Sequence, residues 1–272
     1  MPWLPEFSAA LRLARSTEPS GVEADPIEQY LATLQSGGPP PASSPAPSLV
    51  VHDPQDGRIS GHGDLVGFMR DSAAWRQRLH ARTEQIAATA AEGRAVLELL
   101  THLLLGKQEI ALPVAVVGEL PDHGRPAEFR IYHSQWPLLG RHQLRPPILE
   151  PGERHPADVV GRYHAALGAG DASAIVAVFE PDGYFREPAG PQYTYRGTAE
   201  LRKMYTEFLS AGGIGLEHCT VTDDGSRCAL EFNAVRWGQV EMPRQAGVAV
   251  YERGASGLLA AARVYDDVDP PL

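Results

Sequence analysis

The sequence predicts an α+β protein made of two related halves, in each of which helices come first and an antiparallel sheet follows and wraps around them. Three observations lead there. The chain overlays on itself: "ADPIEQYLATLQSGG" at 24–38 lies over "ADVVGRYHAALGAGD" at 157–171, an offset of 133. The same offset places Arg94, Leu97 and Glu98 on Arg227, Leu230 and Glu231, Val117 and Glu119 on Val250 and Glu252, and Arg130 and Tyr132 on Arg263 and Tyr265. Within each half, apolar residues recur at helical spacing early and at period two later, and the proline-rich "LRPPILEPGERHP" suits a join between the halves.

Taken in order, residues 1–23 read as an N-terminal helical extension, 24–145 as the first domain, 146–156 as a linker and 157–272 as the second domain. Small shifts align "HDP" at His52 to Pro54 with "REP" at Arg186 to Pro188, and "GDL" at Gly63 to Leu65 with "AEL" at Ala199 to Leu201. The first domain is the degraded copy: its second helix is replaced by "GGPPPASSPAPS", where proline removes backbone donors, so a surface loop is expected. In the second domain Val159, Val160, Tyr163, Ala166 and Leu167 form a helical stripe stopped by Gly170. A short helix is expected from Ala172 to Phe179. Thr198 then caps a third, whose stripe of Leu201, Met204, Tyr205, Phe208 and Leu209 ends at Gly212-Gly213. Four runs follow, "IGLEHCTVTDDG", "RCALEFNAVRWG", "AGVAVYERGASG" and "LLAAARVYDD", with period-two character and glycine-containing turns, which predicts an antiparallel meander.

Composition narrows the partners. With 24 Lys and Arg against 34 Asp and Glu, the 272 residues carry a formal charge of -10, and no window gathers the cations a phosphate backbone requires, so nucleic acid is not an expected partner. The first residues, "MPWLPEFSAALRLARS", lack a basic region followed by a long apolar run, and no segment approaches the ~20 apolar residues of a membrane span. A soluble, cytoplasmic protein with no membrane partner is expected. Cys219 and Cys228 flank an Asp224-Gly225 turn; they could face each other across two strands, but free, buried thiols are the preferred reading. Their number and spacing fit no metal site, and no cofactor is expected.

The stretch "RYHAALGAGDASAIVAVFEPDGYFREPAG", followed by "YRGTAELRKMY", resembles the opening of ketosteroid isomerase and its SnoaL-like polyketide cyclase relatives of the nuclear transport factor 2-like superfamily. The match spans most of the second half and, weakly, the first. It implies two tandem cone-shaped domains of cystatin-like fold, each with N-terminal helices on a curved antiparallel sheet, the first a degenerate SnoaL-like domain. It also implies a small-molecule ligand in the second cavity. Because isolated domains of this family commonly dimerise through their sheets, an intramolecular pseudo-dimer of the two halves is expected. Carried over by position, the resemblance puts Tyr163 where the isomerases keep a hydrogen-bond donor to the enolate, and Glu187 where they keep the proton-moving carboxylate. Their second donor falls nearest Val248, which cannot donate; loss of one such donor typically costs about 2.7 to 4 kcal/mol. A slower proton transfer, or an addition with a different electrophilic helper, fits better than an efficient steroid isomerase.

The residues themselves support part of this. In "YFREP", alternation puts Phe185 and Glu187 on one face and Tyr184 and Arg186 on the other, so Glu187 is directed inward, where desolvation raises a carboxyl toward a base's useful range. Tyr163 lies on the apolar stripe of its helix, where core packing is the plain alternative. Arg236 and Trp237 end a strand; an inward Arg236 would bind an enolate or carboxylate through its fork of donors, or else cap the rim. Phe185, Tyr205, Phe232, Trp237 and Arg236 are the expected ligand contacts. His164 points about 100° from Tyr163 along the helix and is a poor partner for the same atom, and His218 is a weaker cavity candidate. In the first domain Tyr30 and Asp53 hold the places of Tyr163 and Glu187, but the proline-rich insertion argues against an intact pocket there. Three functions compete: isomerase- or cyclase-type proton transfer at Glu187, a non-catalytic ligand-binding or scaffolding module, and, ranked last for want of an R-x-D pairing, an epoxide hydrolase.

Overall fold

The computed structural model describes residues 4–18, 26–36, 48–122 and 125–269. Contacts divide the chain into two units at Tyr132/His133. The first contains α1 (Leu4–Arg15), α2 (Pro26–Ser36), β1 (Leu49–Asp53), β2 (Gly57–Ser60), α3 (His62–Arg78), β3 (Arg82–Ala91), β4 (Arg94–Leu105), β5 (Gln108–Glu119) and β6 (Ala127–Tyr132). The second contains α4 (Trp136–Leu139), α5 (Val159–Ala169), α6 (Ala172–Ala177), β7 (Phe179–Arg186), β8 (Thr194–Arg196), α7 (Gly197–Phe208), β9 (Ile214–Asp223), β10 (Arg227–Trp237), β11 (Val240–Arg253) and β12 (Leu259–Tyr265). No helix among the described residues is long and apolar enough to cross a membrane.

The repeat read from the sequence is a repeat of topology. The sheets run β2-β1-β6-β5-β4-β3 and β8-β7-β12-β11-β10-β9, the same order strand for strand. Helices α2 and α5 stand 133 residues apart at both ends. The first unit has no described counterpart of α6, because residues 37–47, most of the proline-rich insertion, lie outside the described residues. Helix α1, within the expected extension, packs on the first sheet, with Phe7 stacked on Phe129 at 4.2 Å.

Several local readings need correction. The sheets are not wholly antiparallel: β7 runs parallel to β12 and β1 parallel to β6. In each unit the first two strands form a hairpin, a helix then carries the chain to the far edge of the sheet, and the meander runs back so that its last strand lies beside the first in the same direction. Helix α6 stops at Ala177 and Phe179 already opens β7. Thr198 does not cap α7; Arg196 is its N-cap, and the first-turn Glu200 accepts that residue's backbone N–H at 2.8 Å. The helix also ends at Phe208, ahead of the glycine pair.

Other local readings hold. Gly170 ends α5 with φ +72°, where a Cβ would lie 2.8 Å from Gly213 N; its start is capped by Asp158, a residue not singled out in the sequence, which accepts Val160 N–H at 3.0 Å. Asp224-Gly225 makes the β9–β10 turn, Gly225 at φ +86°. Cys219 and Cys228 form no disulfide, but only Cys228 is buried as expected, Cys219 being half-buried; the register sets Cys228 opposite Asp223. Bulges near Glu231/Phe232 and Ala234/Arg236 bend β9 and β10, which helps the sheet curve around α5 and α7.

The segment from His133 to Asp158 belongs to the second unit and is tied to it along its length. Asp267 accepts from Ser134 and Gln143, Arg145 O accepts Ala246 N–H at 3.0 Å, Leu149 O accepts from Asn233 at 3.0 Å, and Gly152 N–H donates to His218 O at 2.8 Å. Residues 146–156, expected as a linker, are therefore hydrogen-bonded to β9 and β10 of the second sheet.

Candidate functional site

Between the helices and the concave face of the second sheet lies a cavity of about 290 Å³. Its wall is mostly apolar and rich in rings, among them Tyr163, Tyr205, Phe208, Phe232 and Trp237. A glycine on β11 keeps room: a Cβ on Gly247 would fall 2.6 Å from the Phe232 ring and 2.8 Å from Asp266 Cβ.

Glu187 follows β7 directly and reaches the cavity on the same side as Phe185, as the alternation requires. Its backbone N–H donates to Tyr193 O at 3.0 Å, which fixes the loop, and Tyr195 Oη donates to its Oε1 at 2.9 Å. Burial pushes its carboxyl above the usual carboxylate range, and the Tyr195 hydrogen bond recovers only part of that. Tyr163 also lines the cavity, but its hydroxyl is paired with Tyr205 Oη at 2.9 Å in a fully enclosed contact. Burial raises both phenols far above their ordinary value, so both stay neutral donors.

Of the expected ligand contacts, Phe185, Tyr205, Phe232 and Trp237 line the cavity. Arg236 is absent from that wall: its guanidinium donates to Gly213 O at 3.0 Å, Gly238 O at 2.6 Å and Gly168 O at 3.2 Å, the capping alternative left open by the sequence. Val248 lies elsewhere in the core, and its neighbour Ala249 faces the cavity. His164 and His218 sit outside the wall, in a cluster with His155; the Nδ1 atoms of His155 and His218 are 2.9 Å apart. Burial, then the charge on its neighbour, lowers His164 to about 3 and His218 to about 4.

Two residues missed from the sequence line the same cavity as Glu187. Asp266 follows β12, is half-buried and lines the cavity. Burial lifts its carboxyl to about 7, and the nearby charges of Asp267 and Glu187 push the same way. Alternation carried beyond β12, from Val264 to Asp266 to Val268, is the signal that would have found it, since all three line the cavity. His142 also lines the cavity, with Trp136 stacked on it at 5.0 Å. Both come from the segment assigned in the sequence to the first domain, and no local pattern announces them. Among the described residues no group of His, Cys, Asp and Glu could hold a metal ion.

The counterparts in the first unit do different work. Tyr30 Oη lies 3.0 Å from His62 Nδ1, and buried Asp53 accepts the N–H groups of Gln55 and Asp56 at 2.8 and 3.1 Å, closing the β1–β2 turn.

Comparison with known proteins places residues 160–262 on the family model of the SnoaL-like domain. Similar solved structures include a hypothetical protein with a ketosteroid isomerase-like fold from Catenulispora acidiphila, 13% identical over 42% of this chain and 88% of that one, with a TM-score of 0.36. The epoxide hydrolase/cyclase-like enzyme SalBIII is 20% identical over 40% of this chain and 87% of its own, with a TM-score of 0.33. A SnoaL-like protein of Burkholderia thailandensis is 17% identical over 39% and 88%, also with a TM-score of 0.33.

Proposed function

We propose that the second half, a SnoaL-like domain over residues 160–262, binds a small apolar carbonyl compound in its cavity and transfers a proton with Glu187 as the base. The observation that carries this reading is a single one: a carboxyl with a raised pKa, held by one tyrosine hydrogen bond, projects into a ring-lined cavity of about 290 Å³. Such a volume suits a compact cyclic molecule. The rings supply apolar contact, and the raised pKa makes the ionised carboxylate a stronger base. Glu187 takes the proton from the carbon next to the carbonyl, the C–H electron pair moves into the new C=C bond, and negative charge develops on oxygen. Returning the proton at the same or a conjugated carbon completes exchange or isomerisation. Asp266, at about 7, is protonated over much of the acid-to-neutral range, and so adds little negative charge against that oxygen. No Arg or Lys among the described residues lines the cavity, which keeps the epoxide-opening alternative in last place.

The test is exchange of α-protons in deuterated water across a panel of small cyclic ketones and enones. Glu187→Gln keeps volume and shape while removing the base, so exchange should fall about a hundredfold or more with binding little changed. Tyr163→Phe should reduce it by a similar or smaller factor. Exchange that persists in Glu187→Gln would sink the mechanism. A wild type that binds these ketones without exchanging them would identify the domain as a binding module instead.

A further inference from the structure

The scheme above offers the developing oxyanion only the Tyr163 hydroxyl, which is already paired with Tyr205, and His142 is a polar cavity residue it does not use. The imidazole is held from two sides. Its Nδ1 lies 2.9 Å from Asp267 Oδ1, which also accepts Ser134 Oγ–H at 2.7 Å, while Asp267 Oδ2 accepts Gln143 N–H at 2.7 Å. Asp267 is buried, so this latch is shielded from water, and the Trp136 ring covers the imidazole face. A carboxylate at Nδ1 requires a proton on that nitrogen. The other nitrogen, Nε2, has no hydrogen-bond partner among the described residues, and the ring lines the cavity.

We propose that His142, oriented by Asp267, is a ligand-contacting residue that donates Nε2–H to the carbonyl oxygen of the bound compound. This rests on the proton-transfer reading and supplies an electrophilic partner beyond Tyr163, from a strap that precedes the SnoaL-like match altogether. The charged and titratable groups around the ring are Asp267, Asp266 and Asp269, with Glu187 on the same cavity wall. Asp267, and more weakly Asp269 and Asp266, favour the imidazolium. The hydrogen bond to Asp267 is the largest influence raising its pKa, with burial acting against it. In the imidazolium both ring nitrogens are donors, so the latch and the ligand contact coexist. No bond is made or broken by His142; it neutralises charge that Glu187 creates.

The two amide variants separate contact from latch. In His142→Asn the side-chain amide stands near the place of Nδ1 and can keep the Asp267 bond while losing Nε2; in His142→Gln it reaches toward the place of Nε2. The readout is the carbonyl stretch of carbonyl-¹³C cyclohex-2-enone bound to the full chain, taken by infrared difference spectroscopy. Wild type should shift the band below its position in water. His142→Asn should lose that shift, and His142→Gln should recover part of it. A wild-type band left unshifted at saturating ketone, or a shift retained in His142→Asn, overturns the proposal. The two readings fail separately. A His142-dependent shift without Glu187-dependent exchange removes only the base, and exchange without the shift removes only the donor.

Discussion

Asp266 shows how far one side chain can depart from its ordinary chemistry when a cavity surrounds it. Its ordinary value is 3.8 and its value here is about 7, so between those limits the folded protein holds a proton that the unfolded chain has released. Stability therefore declines as pH rises from about 4 to about 7 and stays lowered above that. Asp266→Asn removes the penalty. We expect the variant to be more stable than wild type by about 1–3 kcal/mol at pH ~8, with the difference closing toward pH ~4, measured by urea denaturation across pH. A constant difference at all pH values would mean that Asp266 is solvated. Glu187 was legible in advance because a five-residue alternation fixed its face. Asp266 was not: it lay inside the run "LLAAARVYDD", but the alternation that puts it on the face of Val264 and Val268 was not followed to that position.

At the scale of elements, helices were legible where stripe and punctuation agreed: α5 begins at Val159, where its apolar stripe begins, and ends at Gly170, the expected limits. Helix α7 was misread at its start because Thr198 is a common cap type, whereas the glycine before it, Gly197 at φ +78°, and the reach of Glu200 to Arg196 N–H set the true start. The strap from His133 to Asp158 was the least legible element. Prolines marked a break in secondary structure, but a segment can lack helix and strand and still be fixed by tertiary hydrogen bonds. Asp267 is its latch. Asp267→Ala leaves Ser134 Oγ, His142 Nδ1 and Gln143 N–H without their acceptor, so amide exchange in residues 134–143 should accelerate, with an overall loss of about 2–4 kcal/mol. Unchanged protection there would mean that Trp136 packing alone holds the strap. A fragment beginning at His133 should likewise melt higher than one beginning at Ala157, which lacks all three partners of Asp267; equal melting would return the strap to the status of a linker.

At the scale of the whole molecule, the constant offset reports a duplicated framework with diverged interiors. The anchors that kept it, Arg94, Glu119 and Arg130, join in one ion network, with Arg94 and Arg130 at 2.8 and 2.7 Å from Glu119. Their counterparts Arg227 and Arg263 both pair with Glu252, at 3.4 and 3.2 Å. Burial alone would raise Glu119, but the two guanidiniums outweigh it and hold it near 2. The repeat was visible because sheet-face residues with fixed cross-strand partners cannot drift independently, whereas cavity residues answer only to a ligand. Asp53 shows the divergence: it stands where Glu187 stands yet caps a turn. Asp53→Asn should leave ketone exchange unchanged while lowering stability by about 1 kcal/mol; a fall in exchange matching that of Glu187→Gln would give the first half an active pocket. The central claim is that the second cavity holds the ligand with its reacting carbon at Glu187. It is tested most directly by a crystal structure of the Glu187→Gln full chain soaked with the ketone that wild type exchanges fastest. The account predicts the ketone inside the cavity, its α-carbon about 3–3.5 Å from the residue 187 side chain and its oxygen toward His142. An empty cavity, or a ketone bound with its α-carbon out of reach of residue 187, would contradict it.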